Sequence, residues 1–166
     1  IKKNFRKSYK PLISSALSTW KSFKLTKYDK ETWSEFKELH FEAAGRVTRS
    51  EETWNIQHEL IRDKKAFLAY LRDEKNKMIA CGFYWHTKSE CEYGVGAFDR
   101  SLFDRPIGHL VQYIAIEEMI KRQIKWYRVG RKNAMTGISL KIYHLSYLIG
   151  PLEKYLESRS TILIAD

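Results

Sequence analysis

The chain has 166 residues, 43 % of them hydrophobic and 30 % charged, with a formal net charge of +10. That length and balance suit one globular domain whose core needs no metal or disulfide staple. No run approaches about 18 apolar residues, so no membrane span is expected.

The two cysteines, Cys81 and Cys91, make no disulfide framework, and a reducing, cytoplasmic setting follows. The first residues, IKKNFRKSYK, have no apolar signal core and no starting Met, so the chain is expected to be one unit of a longer protein. Residues 1–30 hold nine Lys/Arg against a single acid, Asp29, whereas residues 31–166 are nearly balanced. The sequence thus divides into a basic N-terminal helix or arm with a first strand (1–30) and a main domain (31–166). A basic arm favours phosphate-rich partners, nucleic acid or anionic lipid.

In chain order, 6–19 is a helix candidate if Pro11 sits in its first turn, and SFKLTKYD (22–29) is a modest strand. Residues 30–44 put Trp33, Phe36, Leu39, His40 and Ala43 on one helical stripe that Gly45 ends. Ser50 opens a second helix, with Glu51 and Glu52 in its positive first turn. Three strand candidates, 66–73, 77–87 and 91–98, form an antiparallel meander. Helix 107–123 is apolar on most sides and therefore buried. A short strand (125–131), a helix (138–157) and a strand (160–166) complete the order. The helix between the third meander strand and 125–131 is a βαβ crossover, which makes those two strands parallel. The fold class is α/β, with a mixed, mostly antiparallel sheet flanked by helices.

The junction FDRSLFDRPIGHLV (98–111) concentrates Arg100, Arg105, Pro106, Gly108 and His109 at a helix start. A helix N-terminus has unpaired N–H groups and a dipole that favours anions. Gly108 admits a close ligand, Pro106 needs no N–H there, and the arginines add charge-assisted hydrogen bonds. This pattern points to a phosphate site. No Cys/His cluster has metal-ligand spacing, so no metal is expected.

Arg105-Pro106-Ile107-Gly108-His109-Leu110 resembles the Q/R-x-x-G-x-G/A loop of the GNAT N-acyltransferases, with Leu110 departing at the last position. The stretches HFEAAGRVTRSEETW (40–54), AFLAY (66–70), YGVGAFDRSLFDRPIGHLVQYIAIEEM (93–119) and WYRVGR (126–131) resemble the Fem-type branch, bacterial enzymes of envelope and polysaccharide pathways. The part after residue 131 is only a loose counterpart. The resemblance implies a GNAT-like sheet and transfer of an acyl or aminoacyl group to an amine. The donor it implies is acyl-coenzyme A or aminoacyl-tRNA, and the acceptor a small molecule or cell-envelope precursor.

It assigns Phe98, Arg100, Arg105, Pro106, Gly108 and His109 to the donor, and Arg46, Arg49 and Trp54 to the acceptor. Backbone N–H groups around Tyr93–Phe98 would polarise the acyl carbonyl, with Gly94 and Gly96 letting the strand bulge and splay. For proton transfer the candidates are Tyr93, His40 and His109, with His86 and Glu92 also considered. A reading of another class stands beside this one: an inactive GNAT-like module that binds RNA or a protein through its basic arm.

Overall fold

The computed structural model describes Phe5, residues 7–129 and the backbone of residues 142–144. Helix α1 spans Tyr9–Thr19, with Pro11 in the first turn, where its missing N–H costs no helical bond. Strand β1 (Lys21–Leu25) stops short of the expected end because Asp29 is used otherwise. The Asp29 carboxylate accepts from Glu31 N and Thr32 Oγ1, at 3.1 and 2.7 Å, and caps α2 (Lys30–Ala44). Gly45, at φ 67°, closes α2 in the left-handed region. Ser50 Oγ accepts from Thr53 N and opens α3 (Glu51–Arg62).

The meander is β2 (Ala66–Arg72), β3 (Met78–His86) and β4 (Glu90–Phe98). Then follow α4 (Ile107–Lys121), β5 (Trp126–Arg128) and β6 (Ile142–His144). The six strands lie in the order β1-β2-β3-β4-β5-β6, with β4 and β5 parallel and all other neighbours antiparallel. The expected mixed, mostly antiparallel sheet and its crossover are therefore present. One expectation fails: residues 142–144, read as part of a helix, extend the sheet instead. The outer edge of β5 offers them hydrogen-bond partners, and Ile and Tyr suit a strand. The rest of the expected helix 138–157 and the strand 160–166 lie outside the described residues.

Helices cover both faces of the sheet, which is why β2 is buried along its whole length and reads as a continuous apolar run. Phe67, Ala69 and Leu71 face α1 and α4, where Ile13, Ala16, Leu110, Val111 and Met119 close one core. Ala66, Leu68 and Tyr70 face the other way, onto Trp33, Phe36, Leu39, Trp54 and Ile61 of α2 and α3. The leading segment is thus built into the domain through Ile13, Ala16 and Leu25. Among the described residues no helix is long and apolar enough to cross a membrane, and no group of His, Cys, Asp and Glu is arranged to hold a metal.

Candidate active site

Strand β4 creates the site through two departures from regular pairing. Along β3, Phe83 lies opposite Val95 and the next residue, Tyr84, lies opposite Tyr93. Gly94 is therefore an extra residue without a β3 partner, a bulge that bends β4. On its other side β4 pairs with β5 only through Glu90, Cys91 and Glu92. Glu92↔Arg128 is the last β4–β5 pair among the described residues, and from Tyr93 onward β4 has no strand partner on that side among them. The bulge also brings Tyr93 and Gly96 onto one face. A Cβ on Gly96 would collide with the Tyr93 hydroxyl and crowd Phe98.

The open edge leads into the junction foreseen from the sequence. Asp99 accepts from Ser101 N (2.9 Å) and Ser101 Oγ (2.6 Å), folding Arg100–Leu102 into a single 3₁₀ turn. Arg105 N and Ile107 N bond back to the carbonyls of Leu102 and Arg105, each at 2.9 Å, and Leu110 N reaches Pro106 O at 3.2 Å. The N–H groups of Gly108 and His109 have no carbonyl partner among the described residues. Unlike α2 and α3, α4 has no side-chain cap, and Pro106 stands at its N-cap position. A Cβ on Gly108 would meet only Phe98 Cε1, at 3.8 Å. No protein group demands a glycine there, and the space above it is open. Arg100, Arg105 and His109 are exposed around these amides. The His109 ring lies 5.1 Å from that of Tyr9 on α1.

The three residues expected to move protons are not brought together. Tyr93 and His109 belong to the α1/α4 side of the sheet, and His40 to the α2/α3 side. Arg49 Nη1 donates to His40 Nε2 at 2.8 Å. A guanidinium only donates, so this nitrogen must be the unprotonated one. Burial, and then Arg49, hold the His40 pKa below its ordinary value. The Arg49 guanidinium also lies 5.5 Å over the Trp54 ring, which meets His40 edge-on. Arg49, Trp54 and His40 thus form one preorganised group, while Arg46 is exposed beside it. Burial pushes the Tyr93 phenol up to about 12, so it stays protonated at neutral pH.

Glu92 has the best placement for a base. It is only 6 % exposed, stands one residue before Tyr93 on the last rung of the β4–β5 pairing, and points to the opposite face. With Trp85, Glu90, Cys91 and Arg128 it lines a small recess, and its carboxylate is 4.0 Å from Arg128 Nη1. Arg128 and Trp85 were not foreseen as its neighbours. Only the strand register reveals them, since Trp85 and Arg128 flank Glu92 on either side. His86 is committed elsewhere. Its Nε2 accepts from Arg122 Nη1 (2.7 Å), and its Nδ1–H donates to the Thr87 carbonyl (3.0 Å).

Three histidines carry a pH consequence. His40, His58 and His86 all have pKa values lowered, chiefly by burial. His58 lies between Tyr28 and Trp33, at ring separations of 3.8 and 4.8 Å. Below the ordinary histidine value near 6.5 the unfolded chain takes up protons that the folded chain refuses. Their stability contribution is complete above that value and is lost as the pH falls through the lower folded values. The urea midpoint is expected to drop between about pH 7 and about pH 5. A midpoint that holds constant across that interval would contradict these buried neutral rings.

No protein-family model matches the chain, and no curated protein does. Solved structures do resemble it. An aminoglycoside acetyltransferase from an uncultured soil metagenomic sample, in complex with sisomicin, superposes with a TM-score of 0.61 at 11 % identity, covering 73 % of this chain and 83 % of the other. The ribosomal-protein-S18-alanine N-acetyltransferase of Escherichia coli gives 0.56 at 14 % identity, with 70 % of each chain covered. A GNAT family acetyltransferase from Elizabethkingia anophelis with acetyl-CoA bound gives 0.51 at 16 % identity, over 72 % and 69 %. The fold is that of the GNAT acetyltransferases.

Proposed function

We propose that the chain is an N-acyltransferase that moves an acyl group from a coenzyme A thioester to an amine. The observation that carries this reading is the bulge at Gly94 on a strand that runs directly into the uncapped start of α4. The residues present fit such a donor. The amides of Gly108 and His109, with Arg100 and Arg105, suit its pyrophosphate, and Pro106 and Phe98 shape the floor. The stretch of β4 beyond Glu92, unpaired on its β5 side among the described residues, suits the amide-bearing pantetheine arm, as an added strand would pair there.

When bound, the thioester supplies an activated carbonyl carbon and a thiolate leaving group. The chain supplies the rest. Backbone N–H groups at the bulge are fixed dipoles for the developing oxyanion. Glu92, on the acceptor side, takes the proton that the attacking amine loses as the N–C bond forms. Tyr93, protonated at neutral pH, is suited to give a proton to the sulfur as the C–S bond breaks, not to act as base. Arg49, held by Trp54 and His40, and exposed Arg46 form an acceptor wall for a carboxylate or phosphate. The Fem-type assignment, an envelope-precursor acceptor and an aminoacyl-tRNA donor rest on the sequence resemblance.

Calorimetric titration with coenzyme A and acetyl-CoA tests the reading directly. Saturable binding is expected, and Arg105→Ala is expected to weaken it by about 1–3 kcal/mol, the scale of a charge-assisted hydrogen bond. Donor affinity that is absent in the wild type, or unchanged in the variant, counts against the site.

A further inference from the structure

The end of the sheet opposite the donor junction gathers lysines from five separate segments. Leu25, last in β1, is opposite Leu68, which places Lys27 beside the start of β2. Lys64 and Lys65 precede β2, and Lys65 O accepts from His86 N at 2.7 Å. Lys88 lies in the turn from β3 to β4. Lys125 N reaches Ser89 O, in that same turn, at 2.9 Å. Lys121 ends α4 at this pole. All six lysines are exposed. With adjacent strands about 4.8 Å apart, the row from β1 to β5 is about 20 Å long.

The acids nearby are engaged. Asp29 caps α2, Asp63 pairs with Arg62 and Lys65, and Glu90 pairs with Arg128. Of the six lysines only Lys65 has an ion-pair partner among the described residues. Among the described residues, the other five lysines of the row therefore carry positive charge without an ion-pair partner.

An aromatic platform stands in the same place. Tyr28, next to Lys27, is 49 % exposed, and its inner face stacks on His58 at 3.8 Å and 10°. His58 in turn stacks on Trp33 at 4.8 Å and 9°. Tyr28 is thus backed by His58 on one face and half open to solvent next to Lys27. Stacked rings beside a basic track suit unpaired bases and their phosphates. A membrane surface would call for exposed apolar anchors as well as charge. Of the large exposed apolar residues, Phe41, Val47 and Phe103 lie toward the other end, and Ile56 stands alone midway along α3.

We propose that this lysine row, with Tyr28, is a binding surface for single-stranded nucleic acid. It is distinct from the donor site, from which it is separated by the length of α4, about 22 Å for 15 residues.

The test is fluorescence anisotropy with a labelled RNA of about 12 nucleotides and a DNA of the same sequence, from about 50 to about 300 mM salt. Binding that weakens steeply with salt is expected. The triple variant Lys64→Glu, Lys88→Glu, Lys125→Glu should lose at least about tenfold in affinity and flatten the salt slope. Tyr28→Ala should lose about fivefold or more with the slope unchanged. The double variant Lys7→Glu, Lys10→Glu serves as control and should bind like wild type. Coenzyme A titration of every variant monitors the donor site separately, so its failure would bear on the acyltransferase reading alone. The RNA and DNA arms identify which nucleic acid is preferred. The proposal is overturned if neither oligonucleotide binds at the lowest salt, or if affinity follows Lys7 and Lys10 rather than the row. Vesicles rich in anionic lipid binding through the row while both oligonucleotides fail would overturn it equally.

Discussion

Glu92→Gln is expected to lower kcat/KM toward an amine acceptor by about 10²- to 10⁴-fold, the usual contribution of a positioned general base. The donor dissociation constant should stay at its wild-type value, because Glu92 lies on the face of β4 away from the donor junction. The substitution keeps the side-chain shape and removes only the charge and the basicity. Arg128 keeps its pairing with Glu90 at 3.2 Å, so no guanidinium is stranded. An unchanged melting temperature and donor affinity in the variant separate loss of a base from general damage. Turnover within a factor of about two of wild type would remove Glu92 from the mechanism. His40 would not then simply replace it. A proton reaching His40 Nε2 must displace the Arg49 guanidinium, so that site is held neutral and occupied.

Much of the architecture was legible because its signals are local. Gly45 and Ser50 mark helix ends by their own backbone and side-chain chemistry, and both stand where expected. The meander showed itself through long apolar strands, and the apolar circumference of α4 announced burial on both sides. The strand-to-helix junction was readable for the same reason, since Arg105, Pro106 and Gly108 sit within a few residues of each other.

What stayed hidden depends on register or on contacts distant in sequence. Strand β6 is three residues long, too short for periodicity to show. Asp29 looked like the end of a strand until its carboxylate was seen to cap α2. The side taken by Glu92 relative to Gly96 depends on the extra residue at Gly94. The pairing of His40 with Arg49 crosses a loop, and the lysine row is assembled from five segments that no linear pattern connects.

Gly108→Val should abolish tight donor binding, lowering affinity by about 10- to 100-fold, about 1.4–2.8 kcal/mol, while the protein remains folded. The fold is expected to tolerate it for three reasons. The position is in the first turn of α4, not in the sheet. A Cβ there meets only the Phe98 ring, at an ordinary contact distance of 3.8 Å. Valine is also no worse than glycine in a helix, by a few tenths of a kcal/mol. The melting temperature should therefore stay level or rise slightly. The branched side chain would instead stand over the amides of Gly108 and His109 and keep a phosphate from reaching them. Arg105 would still attract the donor but could not seat it, so the variant should retain weak, salt-sensitive binding and lose the saturable component. Calorimetry with coenzyme A, paired with thermal melting, reads both quantities. A folded Gly108→Val protein that binds coenzyme A like wild type would show that the phosphates do not rest on the start of α4, and the donor would have to be placed elsewhere along β4.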